Sequence, residues 1–173
     1  MLQTATDTRA LRTVLGRFAT GVAVVTVRTA EGNPLGMTVN SFLSVSLEPP
    51  LVSFCVNRDS RLCPAFTGAA VFAVNVLTEQ QRDLSRRFAK PGLDRFGTLP
   101  YAPGRSGAPV LPGSLAVVEC TTDSVMPAGD HVIVLGRVVA AVKAEKAAQP
   151  LVFFDGAYCR LDAQHADWWT AFS

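Results

Sequence analysis

Charge is what this sequence has least of. Only 17% of its 173 residues are Asp, Glu, Lys or Arg, against roughly 25% in an ordinary soluble domain. Of 16 basic residues only Lys90, Lys143 and Lys146 are lysines. A net charge of +2 with no basic stripe speaks against a nucleic-acid partner. Long apolar runs are missing as well. Stretches such as Val22–Val27 and His131–Leu135 fall far below the roughly 18 residues a spanning helix needs, so no membrane span is expected. Met1–Arg12 is polar and lacks the apolar core of a cleavable signal. Disorder is excluded by the opposite balance, since 49% of the chain is hydrophobic. The length fits one domain over residues 1–173.

Metal and redox patterns are absent too. Cys55, Cys63, Cys120 and Cys159 form no C-x-x-C pair, and His131 and His165 stand alone. No zinc site is therefore expected. Four buried small thiols in a reducing compartment is the plain reading, and it predicts a cytoplasmic protein. No G-x-S-x-G elbow, H-E-x-x-H helix or Gly-rich Rossmann turn occurs. Any nicotinamide chemistry must therefore use a different fold. The arginine bias has two readings: codon usage, or phosphate recognition by planar guanidinium forks.

What is present is a series of short β-branched segments. Strands are predicted over Val22–Val27, Leu35–Val45, Leu51–Asn57, Val71–Leu77, Ser114–Val125, His131–Val142, Leu151–Phe154 and Ala157–Leu161. Glu48-Pro49-Pro50 stops the second. Such close spacing favours a closed or sandwiched antiparallel sheet over βαβ units. Three helical pieces interrupt it. Asp7 to Ala19 puts Leu11, Val14, Leu15 and Phe18 on one face. Thr78 and Gln81 make a capping box for a helix carrying Leu84 and Phe88, ended by Lys90-Pro91-Gly92. A short turn after Ser60 carries Leu62 and Phe66 inward. From Pro91 to Gly113 Gly and Pro are dense, and a loop this long is expected to be functional or to wrap a partner.

Three places carry polar chemistry. In Gly36–Phe42, strand alternation puts Thr38 and Asn40 on one face and Ser41 on the other. They are either solvated or an edge for a planar polar ligand. Arg58-Asp59-Ser60-Arg61 follows a strand and precedes a helical turn. Ordinary capping by Ser60 and an anion site are both open there. His131 follows Gly129-Asp130 at a turn, where it is either structural or at a barrel rim within reach of a substrate.

Together these segments resemble the flavin reductase family of two-component flavin monooxygenases. The resemblance rests on Phe18-Ala19-Thr20-Gly21-Val22-Ala23-Val24-Val25-Thr26, Gly36-Met37-Thr38-Val39-Asn40-Ser41-Phe42 and Ser44-Val45-Ser46-Leu47-Glu48-Pro49-Pro50-Leu51-Val52. It continues through Phe72–Leu77, Gly129-Asp130-His131 and Gly156-Ala157-Tyr158. It covers a core of about residues 13–161, and order and spacing make it specific.

It implies a mainly β fold, a split β-barrel of Greek-key, FMN-binding type with a few flanking helices, usually a homodimer. It implies a reaction: NADH or NADPH reduces FMN or FAD, which leaves for a partner monooxygenase. It also implies site residues. Thr38, Val39, Asn40 and Ser41 match the segment along the flavin ring and ribityl chain, and Cys55, Val56 and Asn57 the strand end beside it. Ser60 and Arg61 match the phosphate site, Arg87 and Phe88 a later phosphate or adenylate contact. His131 matches the histidine beside the nicotinamide, with Tyr158 on the same side. Hydride transfer between two cofactors needs positioning rather than an activated nucleophile, which suits the sparse catalytic inventory. A flavin-binding electron carrier, a pyridoxamine-phosphate-oxidase type of barrel and a partner-scaffolding β protein remain the alternatives. The Trp168-Trp169 pair has two readings: simple core packing, the plain one, or packing over the barrel or a partner subunit. The low charge then fits an uncharged surface facing a second subunit.

Overall fold

The computed structural model describes residues 7–90, 95–145 and 148–161. The chain opens with α1 (Thr8–Leu15), β1 (Thr20–Gly21), β2 (Ala23–Arg28), β3 (Pro34–Val39), β4 (Leu43–Leu47) and β5 (Pro50–Asn57). Then come α2 (Cys63–Gly68), β6 (Val71–Val76), a 3₁₀ turn at Glu79–Gln81 and α3 (Arg82–Ala89). The rest is strands: β7 (Ala102–Pro103), β8 (Pro109–Val110), β9 (Ala116–Ala128), β10 (His131–Lys143), β11 (Val152–Phe154) and β12 (Ala157–Cys159). His165, Trp168 and Trp169 lie outside the described residues.

Seven strands form one antiparallel sheet in the order β3-β2-β6-β9-β10-β5-β4. Its two edges, β3 and β4, are joined by only Asn40, Ser41 and Phe42. Four Cα–Cα steps reach about 15 Å at most. A flat sheet of this many strands would be about 29 Å from edge to edge. The sheet must therefore roll up until its edges nearly meet, which is the split barrel. A second small sheet, β1-β11-β12, lies beside it.

The sequence pattern predicts one strand over Leu35–Val45, and the structure divides it. Val39 is the last residue to pair with β2, and Leu43 is the first to pair with β5. Between them the Ser41 hydroxyl accepts the Cys55 N–H at 3.0 Å. The chain changes pairing partner there, so the ladder cannot run through.

Two apolar clusters fill the interior. In the barrel, Phe54 packs edge-on against Phe66 and Phe72, with ring centroids 6.1 and 5.1 Å apart. Under α3, Phe88 meets Phe96 edge-on at 5.1 Å, among Leu77, Leu111 and Leu151. Gly36 makes this possible, because a Cβ there would sit 2.4 Å from Phe88 Cε1.

The predicted capping box is present, with the Thr78 N–H donating to Gln81 Oε1 at 3.0 Å. Asp7 caps α1 by accepting the Ala10 N–H at 2.7 Å. That helix stops at Leu15 rather than Ala19, and its apolar face stays uncovered. Leu11, Val14, Leu15 and Phe18 are 48, 53, 62 and 77% exposed. The cysteines also depart from expectation. Only Cys120 is fully buried, and burial beside Glu119 pushes its thiol up to about 12. Cys55, Cys63 and Cys159 are half-buried.

The Gly/Pro-rich segment, within its described part, straps onto its own barrel. The Arg28 Nε–H donates to Gly107 O at 2.9 Å. Arg95 Nη1 donates to Gly36 O and Phe88 O at 3.1 and 2.7 Å. Glu119 accepts both the N–H and the hydroxyl of Ser106 at 2.7 Å. Burial alone would raise the Glu119 carboxyl, but the Ser106 bonds and nearby Arg105 hold it below its ordinary value. A depressed carboxyl stabilises the fold above its unfolded pKa, and that contribution disappears as pH falls through the folded one. Glu119→Gln is therefore expected to lower urea stability by about 1–3 kcal/mol at pH 7. The gap to wild type should close below about pH 4. A gap that persists in acid would mean packing, not charge, holds the strap.

Candidate functional site

The site grows from the three-residue link between the barrel edges. Alternation along β5 sends Phe54 and Val56 into the core and leaves Cys55 and Asn57 on the outer face. In the β5–β10 register Cys55 faces Ile133 and Asn57 faces His131. Opposite residues share a face. Cys55, Asn57, Ile133 and His131 therefore form one outer patch, bordered by Ser41 through its bond to Cys55.

Beyond Asn57 the chain turns tightly. Asn57 Oδ1 accepts the Asp59 N–H at 2.8 Å, and Asn57 O accepts the Ser60 N–H at 3.1 Å. Ser60 Oγ accepts the Leu62 N–H at 3.2 Å. The helix itself starts only at Cys63, so Ser60 closes the turn before it rather than capping it. Arg61 is exposed. This turn is tied to the β9–β10 hairpin, since the Arg58 N–H donates to Asp130 O at 3.0 Å. At that hairpin, His131 Nδ1 lies 2.8 Å from Asp130 Oδ1. The hydrogen bond and charge of His131 hold the Asp130 carboxyl below its ordinary value. His131 Nε2 has no partner among the described residues.

On the other side of the link lies a cavity of about 200 Å³. Thr38, Val39, Asn40, Phe153 and Tyr158 wall it, together with Val22 and Ala89. Its polar wall is fixed from behind. The Thr38 hydroxyl donates to Ser85 O at 2.7 Å, and Ser85 Oγ bonds Tyr158 OH at 2.8 Å. The Tyr158 ring stands edge-on to Phe153 at 5.7 Å. The volume is below the ~300–1,000 Å³ of drug-sized pockets, so it suits one ring or one sugar. A wider groove of about 550 Å³ between residues 28–31 and 64–71 contains none of the residues singled out in the sequence.

The two sides are adjacent in the chain at Asn40-Ser41, and α1 bridges them in space. Arg12 acts on the Asp130 carboxyl. Gly16 O accepts the Asp155 N–H of the β11–β12 turn at 2.8 Å.

Three of the expected contact residues have other structural neighbours. The Val56 and Phe88 side chains are fully buried in the two cores, which leaves only their backbone groups at the surface of the site. Arg87 is exposed and leans on the strap, donating from Nε to Arg95 O and from Nη2 to Phe96 O at 2.7 Å. Sequence reasoning missed Ser85 and Phe153. Ser85 had a readable signal: it sits beside Leu84 and three residues before Phe88, on the buried face of α3.

Residues 15–162 match the family model of the flavin reductase like domain. The chain belongs to this family. A probable flavin reductase of Rhizobium meliloti (strain 1021) is 49% identical over 134 residues, 78% of this chain. The match spans only 43% of that relative's length. The reductase subunit HsaB of a flavin-dependent monooxygenase of Mycobacterium tuberculosis is 41% identical over 160 residues, covering 91% of this chain and 84% of HsaB. Among solved structures, the NADH:FAD oxidoreductase SgcE6 of Streptomyces globisporus C-1027, in complex with NAD and FAD fragments, superposes with a TM-score of 0.88. It shares 39% identity and covers 96% of this chain and 99% of its own. A flavin reductase fold thus accounts for the rolled sheet, and the donor set fits a flavin. Amide, hydroxyl and backbone groups at residues 38–41 and 55–57 suit a planar polar ring, and the turn at 58–61 suits a phosphate.

Proposed function

We propose that this flavin reductase-family chain is an NAD(P)H-dependent oxidoreductase that supplies reduced FMN or FAD to a partner monooxygenase. The observation that carries the reading is the outer patch of Ser41, Cys55, Asn57 and His131 beside the cavity walled by Thr38, Asn40 and Tyr158. In the reaction a hydride passes from the nicotinamide to the flavin, and the two cofactors supply the reactive atoms. The protein's part is to hold two rings in contact. Thr38 to Ser41 and Cys55 to Asn57 hold the flavin, and Ser60 and Arg61 take its phosphate. His131, fixed in direction by Asp130, orients the nicotinamide. Purified protein mixed with FMN or FAD and NADH or NADPH should consume absorbance at 340 nm only when flavin is present. No flavin-dependent loss with either donor would overturn the reading.

His131→Ala is expected to raise the KM for NADH about tenfold, the scale of one lost charge-assisted contact. Flavin affinity should hold within about twofold. Equal NADH kinetics in the variant would remove His131 from the nicotinamide site.

Four unpaired cysteines fit a reducing cytoplasm. The exposed face of α1 fits a second copy of the chain, as do Leu43, Val45 and Leu47 of β4 at 59, 48 and 87% exposure. Apolar patches rimmed by polar residues mark interfaces, and the chain has little charge to solvate them. Light scattering is expected to give a dimer, and Leu15→Asp a monomer. A wild-type monomer at micromolar concentration would refute this.

A further inference from the structure

We propose that Arg82 and Arg86 of α3 form a second anion site, which takes the pyrophosphate of the hydride-donating dinucleotide. The inference rests on the reductase reading and says where the donor's tail lies. Arg82 and Arg86 are four residues apart, so they share a helix face. Their guanidinium carbons lie 5.7 and 5.9 Å from the centroid of the same Tyr158 ring. That ring is pinned by Ser85 and Phe153, and it walls the 200 Å³ cavity.

Two like charges at this spacing repel one another on a bare helix. One cation would satisfy the ring, so the second needs another reason. Nearby acids do not supply it. Arg86 meets Asp83 at 3.2 Å, but that carboxylate is 94% exposed, and such pairs contribute little. Arg82 makes no ion pair among the described residues. Glu79 is taken by Arg160, at 3.3 Å. The arrangement is a pair of guanidinium forks beside a pocket sized for one ring, and such forks match phosphate oxygens in pairs. In a nicotinamide dinucleotide the pyrophosphate follows the ring after one ribose. With the nicotinamide held by His131 at the Asn40–Ser41 junction, where the outer patch and the Tyr158 cavity meet, its ribose takes the cavity and its pyrophosphate reaches Arg82 and Arg86. The flavin phosphate keeps the separate turn at Ser60 and Arg61.

The test compares wild type with Arg82→Gln/Arg86→Gln, using two hydride donors. NADH carries the pyrophosphate, and dihydronicotinamide riboside carries no phosphate. The variant is expected to raise the KM for NADH about tenfold or more, with the KM for the riboside and the flavin Kd unchanged. Arg82→Lys/Arg86→Lys should recover part of the loss, because the charge returns without the fork. An unchanged KM for NADH overturns the proposal. So does an equal rise for both donors, which would make the arginines mere supports of Tyr158. A matching loss of flavin affinity overturns it too, by assigning the site to the flavin. Calorimetry with ADP-ribose separates the two readings. ADP-ribose should bind wild type and lose about tenfold in the Gln variant, even if no flavin reduction were seen. Equal ADP-ribose binding by both proteins sinks the anion site while leaving the reductase reading intact.

Discussion

Asn75→Ala is expected to cost the fold upwards of about 3 kcal/mol, because it removes three buried hydrogen bonds, each worth about 1–3 kcal/mol when its partner is left buried. Asn75 lies fully buried in β6. Its Nδ2 donates to Val24 O at 3.0 Å and to Thr26 Oγ1 at 3.1 Å. Its Oδ1 accepts the Leu111 N–H at 2.8 Å. Thr26 in turn donates to Ala73 O and Pro109 O. One amide thus joins β2, β6 and the strap at residues 109–111. Alanine leaves the buried Leu111 N–H without its partner, and the lost volume adds a small cavity. Urea denaturation should show a clear fall in midpoint with an unchanged slope. Asn75→Asp cannot donate to Val24 O and buries a charge, so it should do no better. A fall below about 1 kcal/mol would mean the strap is held mainly by Glu119 and Arg28.

The strap shows where sequence reading stopped. Its density of Gly and Pro announced a loop, and proline discourages strand pairing. Yet Ala102 pairs with Val110 and Pro103 with Pro109, because long-range bonds from Thr26, Asn75 and Glu119 hold the segment flat. No local pattern encodes those bonds. The split of the expected strand at residues 40–42 has the same origin. Asn40-Ser41-Phe42 continues an extended pattern, and only the Ser41–Cys55 bond and the change of pairing partner show the break.

The barrel strands were legible for the converse reason. Val22–Val27, Leu51–Asn57 and Val71–Leu77 are β-branched runs bounded by turn residues, so their local signal agrees with their burial. In the site, resemblance and periodicity disagreed once. Spacing with Leu84 aimed Phe88 at the core, while the resemblance aimed it at a ligand. Burial against Gly36 and Phe96 puts the Phe88 side chain in the core, where spacing aimed it. Thr38, Val39, Asn40 and Tyr158 do share one cavity, though Asn40 and Tyr158 lie 118 positions apart. Periodicity alone could not have joined them.

Ser60→Ala/Arg61→Ala is expected to weaken flavin binding by about 10- to 150-fold, or about 1.5–3 kcal/mol of charge-assisted contact. The turn explains why both residues matter. Ser60 Oγ already accepts the Leu62 N–H, so its hydroxyl hydrogen is free to donate to a phosphate oxygen. Arg61 is exposed and has no ion pair among the described residues, so its fork is available to an anion. The two effects differ in salt. Arg61→Ala alone should flatten the ionic-strength dependence of the flavin Kd, because the lost term is a screened charge. Ser60→Ala alone should leave that slope in place and lower affinity by a smaller factor. Ser60→Ala also removes the bond to Leu62, a cost of about 1 kcal/mol to the fold. Thermal melts without flavin separate that loss from binding. Fluorescence quenching of FMN gives the Kd directly. An unchanged Kd in the double variant would remove the turn from the phosphate site, and the flavin's tail would then have to lie against α3 at Arg82 and Arg86.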